Sequence, residues 1–461
     1  MPVLRRLGFA FRYWKAHGTR GFVQELKRRV TTPAPPVVPI TAPALSHSHA
    51  PPTALAVEPA SATPTSTAPA LPSARQLLGA FFVQLPPLKL FAVPRSGSRR
   101  ISVVTDSISK GSLMGGVGTA LILAAHLARQ RGARLRLITR SERAQPAHLD
   151  GLFSLYGIRV EEEMEFAFAN MWVPEAAIDA FADELFLTTS WWTTHTTLAA
   201  VSSARVLYLL QEDERMFYAG GDKHLRCCEL LMNEQMNVVV NTRGLLDHLV
   251  TTGLPHLRRT AVAFEPAFPP SVYLRRSKSS GQKKRFMFYA RPEHERNIFY
   301  FGLEVLDRAI AQGIIDHDTW DVQLVGANIP AFTFCDGTPA TRLSGLSWKD
   351  YAELAGGVDL ALSLMYTPHP SYPPLDLAAS GAVVVTNRFG NKTDLSALCG
   401  NIMTADLTVP AMLQALREGV ARVTDETARQ THYEQRGLQR DWGQALDAVV
   451  KRYSGATDVW A

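Results

Sequence analysis

The segment MYTPHPSYPPLDLAASGAVVVTNRFGNKTDL, residues 365–395, contains the pattern that decides the fold. It opens at the end of the apolar run VDLALSLM (358–365), crosses a Pro-rich loop, and continues into a short helix over 374–380 and the apolar run AVVVTN (382–387). Short apolar runs that alternate with helices are typical of buried strands in a parallel α/β sheet. The polar residues of the loop should therefore lie at the carboxyl edge of that sheet.

The same alternation continues toward the N-terminus in two series. The nearer series contains RFMFYAR (285–291), a helix over 297–312, WDVQLVGA (320–327) and a helix from Trp348. The farther series contains ISVVTD (101–106), a helix over 116–131, RLRLITR (134–140), ELFLTTS (184–190), RVLYLLQE (205–212) and MNVVVNT (236–242).

Two series of this kind predict an α/β protein with two facing, doubly wound Rossmann-like domains, over 75–274 and 275–430, with a cleft between them. The polar stretch 275–284 is the predicted hinge, and 431–461 is predicted to form a C-terminal helix that crosses back to the first domain. Strand carboxyl ends and helix amino ends would surround the cleft, which makes it the expected active site.

The N-terminal segments differ in composition from the rest of the chain. Residues 1–30 contain eight Lys/Arg residues and one Glu, so the net charge of +6 comes from this segment. It resembles one or two basic amphipathic helices that either dock on a membrane surface or partner, or pack on the body of the protein. Residues 31–74, rich in Pro, Ala, Ser and Thr, are predicted to form a disordered linker.

Composition also limits the class of protein. The 461 residues are 46% apolar and 20% charged, as in globular proteins, and the four cysteines form no zinc-binding spacing. The basic charge is local rather than spread over a folded face, which argues against a nucleic-acid partner. No run reaches the roughly 18 apolar residues of a membrane span. The expected location is the cytoplasm, with peripheral contact at the inner membrane face.

Two motifs predict an anion site at the cleft. Gly115 and Gly116, in DSISKGSLMGGVGTA (106–120), follow a strand and lead into a helix, where backbone N–H groups can approach an anion or simply form a tight turn. This loop is neither the dinucleotide nor the Walker phosphate motif. Arg291 follows a strand in YARPEHERN (289–297), where a cation could neutralise a pyrophosphate or lie on the surface.

Three strings give the chain a family resemblance: SWWTTH (190–195), YLLQEDERMFY (208–218) and LSLMYTPHPSYPPLDLAASG (362–381). The chain resembles GT-B glycosyltransferases over about 98–430, in particular bacterial rhamnosyltransferases of surface-polysaccharide or O-antigen assembly, similar to glycosyltransferase family four. The resemblance implies dTDP-β-L-rhamnose as donor, inversion at the sugar, and a glycan on a lipid carrier as acceptor. It also implies no cofactor and no bound metal.

The resemblance also implies residue roles. Asp376 stands where the wider family has the second Glu of a pair, which binds the donor ribose, whereas Pro368 stands at the position of the first. Arg291 matches a phosphate-binding arginine, and Leu346 matches a residue whose backbone binds the base. The predicted donor-binding residues are Gly115, Gly116, Gln211, Arg291, Arg296, Gly326, Leu346, His369, Ser371, Tyr372, Asp376 and Lys392.

An inverting transfer needs a group that removes the proton of the acceptor hydroxyl. The string QEDE (211–214) ends a strand that should face the cleft, and Glu214 is the first choice as catalytic base. The other candidate bases are Glu212, Asp213, His195 and Asp106.

Of the neighbouring Trp191 and Trp192, one should be in the core, and the other either joins it there or lines the acceptor cleft.

Two alternatives share this architecture. A non-hydrolysing nucleotide-sugar epimerase would need no acceptor, and a non-catalytic glycan-binding scaffold would need no donor nucleotide. Binding of a nucleotide diphosphate sugar separates the scaffold from both enzymes, and transfer to an acceptor separates the transferase from the epimerase.

Overall fold

The computed structural model describes residues 71–108, 113–160, 162–173, 176–276, 281–435 and 437–454. The chain divides into two units, Met1–Ala70 and Leu71–Ala461, and every described residue belongs to the second. The predictions for the basic segment 1–30 and for nearly all of the linker therefore lie outside the described residues. Among the described residues, no helix is long and apolar enough to cross a membrane.

The first half of the described chain forms a parallel sheet. The strands in this half of the chain are β1 (Leu90–Ala92), β2 (Arg99–Thr105), β3 (Ala133–Thr139), β4 (Glu165–Phe168), β5 (Ile178–Ala180), β6 (Leu185–Thr188), β7 (Val206–Leu210), β8 (Asn237–Asn241) and β9 (Ala261–Phe264). Seven strands pair in the order β4-β3-β2-β6-β7-β8-β9, while β1 pairs with β5 alone. All of β7 is buried, as expected for a parallel sheet covered on both faces.

Helices cover this first sheet. Ser190 caps α4 through its side chain, which accepts the backbone N–H of Thr193. The helices are α1 (Ala74–Phe81), α2 (Gly118–Arg131), α3 (Ala147–Tyr156), α4 (Trp191–Leu198), α5 (Asp222–Leu231), α6 (Arg243–Thr251) and α7 (Leu257–Thr260). Helix α2 is preceded by a π turn over Leu113–Val117, so the predicted helix over 116–131 starts in a wider turn at the glycines.

The second half forms a six-stranded parallel sheet in its own apolar core. Its strands are β10 (Lys284–Ala290), β11 (Trp320–Gly326), β12 (Thr341–Ser344), β13 (Leu360–Leu362), β14 (Val383–Asn387) and β15 (Ile402–Ala405), in the order β12-β11-β10-β13-β14-β15. The helices that follow the strands are α8 (Phe299–Ala311), α9 (Trp348–Gly356), α10 (Tyr372–Ala379), α11 (Val409–Thr424), α12 (Glu426–Tyr433) and α13 (Trp442–Ser454).

The last helix, α13, packs on the first sheet rather than on the second. Its residues Trp442, Leu446, Val449 and Tyr453 are buried in the same apolar cluster as Leu121 of α2. The C-terminal segment thus completes the core that the first half of the chain begins.

Several elements were not predicted from the sequence. The short or partly exposed strands β1, β4, β5, β9, β12 and β15 lack the long apolar runs that identify the central strands. The helix predicted over 297–312 begins only at Phe299, because Ile298 adopts a left-handed backbone with φ of 39° after a 3-10 turn. Part of the predicted hinge, 277–280, lies outside the described residues.

Candidate active site

A cavity of about 570 Å³ lies at the carboxyl ends of both sheets. Its walls come from the segments that follow β2, β6 and β7 of the first sheet and β10, β11 and β13 of the second. Facing α/β sheets bind ligands at this position. The cavity therefore brings together residues that are more than 250 positions apart, such as Asp106 and Tyr372.

The glycine loop enters this cavity with its backbone held by side chains. Gly115 has a φ of 89°, which a residue with a Cβ adopts only at a cost, and Thr119 donates from Oγ1 to its carbonyl at 3.1 Å. The carbonyl of Gly116 accepts from Nε2 of Gln211 at 2.8 Å, and a Cβ at Gly116 would lie 2.9 Å from that same Nε2. The backbone conformation therefore favours glycine at position 115, whereas at position 116 a Cβ would displace the side chain of Gln211 and its hydrogen bond.

Tyr372 joins the second sheet to this loop. Its hydroxyl lies 2.6 Å from Oγ1 of Thr119 and accepts from Nδ2 of Asn241 at 2.9 Å. Asn241 also reaches Gln211 Oε1 at 3.4 Å. Tyr372, predicted to bind donor, lines the cavity and at the same time bridges the two sheets.

His369 is held as a neutral imidazole. The backbone N–H of Ser371 donates to its Nδ1 at 3.0 Å, so Nδ1 accepts and the ring proton lies on Nε2. Burial lowers the pKa of His369 to about 3, with smaller effects of Lys392 and Arg296. Its Nε2 has no hydrogen-bond partner among the described residues. The ring therefore provides an N–H donor at the cavity wall and does not become charged near neutral pH.

Two carboxylates that line the cavity, Glu212 and Glu214, follow β7. Burial raises the pKa of Glu212 to about 7, and the nearby Arg296 opposes this rise. Burial raises the pKa of Glu214 to about 8, although Glu214 Oε2 accepts the backbone N–H of Trp191 at 2.7 Å. Oε2 of Glu212 has no hydrogen-bond partner among the described residues. Glu212 makes only long contacts, with Oε1 3.5 Å from Oγ1 of Thr367 and Oε2 3.9 Å from Nη1 of Arg296, whereas Glu214 is held more closely at the start of α4.

Asp376 lies in a group of tyrosines on the second-sheet side. Its Oδ2 accepts from the Tyr351 hydroxyl at 3.4 Å, and Tyr273 beside it contacts Tyr156 through their hydroxyls at 2.8 Å. Burial raises the pKa of Asp376 to about 7, against the hydrogen bonds from Tyr273 and Tyr351. Its Oδ1 has no hydrogen-bond partner in the described part of the chain, so one oxygen can accept from a ligand.

Arg291 lies where the sequence predicts it, directly after β10 on the cavity wall. Its Nη2 donates to Nε2 of His294 at 2.5 Å, and the pKa of His294 falls to about 4 because the ring is buried, with Arg291 as the next cause.

Gly326 and Leu346 also line the cavity. A Cβ at Gly326 would lie 1.7 Å from the carbonyl oxygen of Ala290, so β10 and β11 require glycine there.

Some predicted site residues do not line this cavity. His195 lies on α4 near the backbone of Leu85 and not on the cavity wall, and burial lowers its pKa there, so its role as a base stays a prediction. Asp213 also lies off the cavity wall, where it caps the turn after β7 and pairs with Arg215 at 2.7 Å.

Two predicted donor-binding cations also lie away from the cavity surface. Lys392 is buried and donates from Nζ to the carbonyl of Met365 at 2.9 Å. Arg296 stacks over the ring of Phe217 at 4.1 Å and lines a separate, more open cavity of about 470 Å³. Neither lines the larger cavity, so their contact with the donor stays a prediction, and both act electrostatically on Glu212.

The sequence did not reveal several cavity residues. Thr119, Tyr156, Tyr273 and Tyr351 line the cavity but lie in ordinary helical or loop sequence, so no local pattern distinguishes them from structural residues. The two tryptophans lie in different surroundings: Trp191 is buried in the core and Trp192 lines the cavity, which is one of the two arrangements that the sequence allowed. They open α4 rather than an extended segment.

The fold and this cavity define the GT-B class of architecture, two parallel α/β sheets around one cleft. The solved structure of Anabaena Alr3699/HepE with UDP and glucose matches with a TM-score of 0.55 and 13% identity, over 78% of this chain and 100% of that chain. WaaG, a glycosyltransferase involved in lipopolysaccharide biosynthesis, matches with a TM-score of 0.52 and 12% identity, over 77% and 100%. The chain therefore has the GT-B fold, as the sequence predicted.

Two sequence comparisons are more specific. The family described as WsaF, C-terminal domain, matches residues 284–417, the second sheet and its helices. The O-antigen biosynthesis protein RfbC of Myxococcus xanthus is 28% identical over 276 residues, which cover 59% of this chain and 20% of RfbC. The chain thus spans about a fifth of the length of that curated relative.

Proposed function

We propose that this chain is a glycosyltransferase of O-antigen or related surface-polysaccharide assembly. In this proposal it transfers L-rhamnose from dTDP-β-L-rhamnose, with inversion, to a glycan on a lipid carrier. The observation that carries the proposal is the arrangement of the cavity, which has Arg291 and the glycine loop at one part and carboxylate oxygens without a hydrogen-bond partner among the described residues at another. The resemblance of the sequence to rhamnosyltransferases and the match to RfbC support the choice of pathway.

The donor diphosphate would lie between the glycine loop and Arg291. Backbone N–H groups before α2 and the guanidinium of Arg291 would neutralise the charge that develops on the leaving group. The Nε2–H of His369 would add a neutral donor, since the Ser371 amide fixes the tautomer. Asp376 would accept a ribose hydroxyl at its free oxygen. These contacts would neutralise the diphosphate without a bound metal, so a chelator should leave activity unchanged.

The chemical step needs a base at the acceptor hydroxyl. In the proposal the hydroxyl proton passes to a carboxylate, the acceptor oxygen bonds to the anomeric carbon, and the bond from that carbon to the diphosphate breaks. We assign the base to Glu212 rather than to the first choice, Glu214. Glu212 makes only long contacts with its neighbours and has a pKa near 7, whereas Glu214 accepts the N–H of Trp191 at 2.7 Å.

A membrane location would suit a lipid-linked acceptor. Helix α1 has no buried residue, and Leu77, Leu78 and Phe81 are 58%, 58% and 50% exposed. Lys223 of α5 lies 5.5 Å from the Phe81 ring, so apolar and basic groups share this surface, as in helices that bind anionic lipid. Flotation with phosphatidylglycerol vesicles should fall for Leu77→Glu, whereas Leu274→Glu, also at an exposed leucine, should float like the wild type.

The proposed function is tested by nucleotide binding followed by transfer. Bound donor should raise the melting temperature, and dTDP-rhamnose should do so more than UDP-glucose. Membranes with lipid-linked glycan should then take up rhamnose with release of dTDP. Glu212→Gln should still bind dTDP and transfer nothing. If no nucleotide sugar raises the melting temperature, the protein is a scaffold; if donor binds and is epimerised without an acceptor, it is an epimerase.

A further inference from the structure

The cavity has two parts of different charge. Asp106, Glu212 and Glu214, which follow β2 and β7 of the first sheet, place three carboxyl groups on one wall. Arg291, from the second sheet, is the one Lys or Arg among the described residues that line the cavity. Among the described lining residues, the first wall offers a diphosphate no cation, whereas the second wall offers Arg291. A neutral ligand that brings hydroxyl donors fits the carboxyl wall better.

The carboxyl wall also holds a fixed aromatic surface. The indole N–H of Trp192 donates to Oδ2 of Asp106 at 2.7 Å. The ring also packs edge-on against Trp191, at 6.0 Å between centroids, and lies 6.4 Å from Phe217. Since its N–H is bonded and its neighbours restrain it, the indole is a rigid surface, and such a surface suits the apolar face of a sugar ring.

Asp106 contributes a free acceptor beside this surface. Its Oδ1 is buried and has no hydrogen-bond partner among the described residues, while Oδ2 accepts from Trp192. A buried polar oxygen left unpaired is unfavourable, so a ligand that donates to it gains affinity. A sugar hydroxyl can donate; an ionised phosphate oxygen cannot.

We infer that Trp192 and Asp106 form a subsite for a neutral pyranose of the acceptor. The ring face stacks on Trp192, and one hydroxyl donates to Oδ1 of Asp106. Glu212, on the same wall, is then adjacent to the sugar that presents the attacking hydroxyl. This inference rests on the proposed function and names the class of ligand that the first-sheet wall binds. It gives Asp106 a binding role instead of the role of base.

The test is saturation-transfer NMR on the full chain, with methyl α-L-rhamnopyranoside and methyl α-D-glucopyranoside as probes and dTDP or UDP present. At least one probe should receive saturation at its ring C–H protons. Trp192→Ala and Asp106→Asn should each weaken that probe at least tenfold and change nucleotide affinity less than twofold. Trp172→Ala, at a 61% exposed tryptophan, is the matched control and should change neither.

The outcomes separate the inference from the function on which it rests. If the wild type binds nucleotide but neither pyranoside, or if both variants bind the probe normally, the subsite is rejected and the proposed function stands. If Trp192→Ala weakens nucleotide rather than probe, this wall belongs to the donor site. If the wild type binds no nucleotide at all, the proposed function itself fails. Trp192→Leu, which keeps an apolar side chain but has no ring face, provides the same comparison should the alanine variant not fold.

Discussion

The hydroxyl of Tyr372 lies 2.6 Å from Oγ1 of Thr119, although the two residues belong to helices on different sheets. Thr119 donates to the Gly115 carbonyl and Asn241 donates to Tyr372, so the Tyr372 hydroxyl must donate to Thr119. One directed series of hydrogen bonds thus runs from β8 through α10 to the glycine loop. The second sheet thereby helps to fix the loop that we propose binds the diphosphate.

Tyr372→Phe should weaken dTDP binding about five- to tenfold, because a neutral hydrogen bond contributes about 1 kcal/mol and the loop loses its restraint. Hydrogen exchange of the backbone amides at 113–118 should become faster even without nucleotide. Tyr366→Phe is the control, since Tyr366 is 48% exposed and does not line the larger cavity. Unchanged exchange in Tyr372→Phe would show that the glycine loop is held without this bond.

Arg291→Ala should weaken dTDP binding by about 1.5 to 3 kcal/mol, the range for hydrogen bonds to charged groups, with little change in melting temperature. Calorimetric titration measures this. The control is Arg308→Ala, which removes an exposed arginine paired with Glu304 on the surface of α8. Normal affinity in Arg291→Ala would mean that the phosphates bind elsewhere.

The transfer rate should rise with pH through about 7, because a base must be deprotonated and burial raises the pKa of Glu212 to about 7. Glu212→Gln should remove this rising limb together with most of the activity. Glu214→Gln is the matched variant, since a glutamine oxygen can still accept the Trp191 N–H. If Glu214→Gln, and not Glu212→Gln, abolishes transfer in rate measurements, the two roles are exchanged.

Asp376→Asn should weaken dTDP binding by about 1 to 3 kcal/mol if its free oxygen accepts from the ribose. It should also change the pH dependence of stability. The pKa of Asp376 is about 7 in the folded protein and has its ordinary value of 3.8 in the unfolded chain. Between these values the folded protein keeps a proton that the unfolded chain releases, so stability falls as the pH rises through this interval.

Asn does not titrate, so the melting temperature of Asp376→Asn should fall less between pH 5 and pH 8 than that of the wild type. A lower melting temperature with normal dTDP affinity would assign Asp376 a structural role only.

The central strands could be read from the sequence because burial on both faces demands long apolar runs, as in VLYLL of β7 and VVVTN of β14. Edge strands such as β12, in which three of four residues are exposed, show no such run. The glycine loop and Arg291 were also predictable, because each follows a strand directly and parallel strands end at one edge.

The tyrosines around Asp376 were not predictable in the same way. Tyr156, Tyr273 and Tyr351 come from three separate segments and meet only in the folded chain. His195 shows the reverse case, since its string resembled the family while the turn of α4 directs it away from the cavity. The residue at which α4 begins, set by the cap at Ser190, determines which of its side chains face the cavity, and the sequence alone did not show this.

The position of α13 has a consequence for how the chain is made. The core of the first sheet includes Trp442, Leu446 and Val449, which leave the ribosome after every strand of both sheets. Until then, apolar groups of α2 such as Leu121 lack their final neighbours, so the N-terminal half cannot mature as an independent unit during synthesis. A chain cut between α12 and α13 would leave the apolar surface of α2 exposed and would be prone to aggregate.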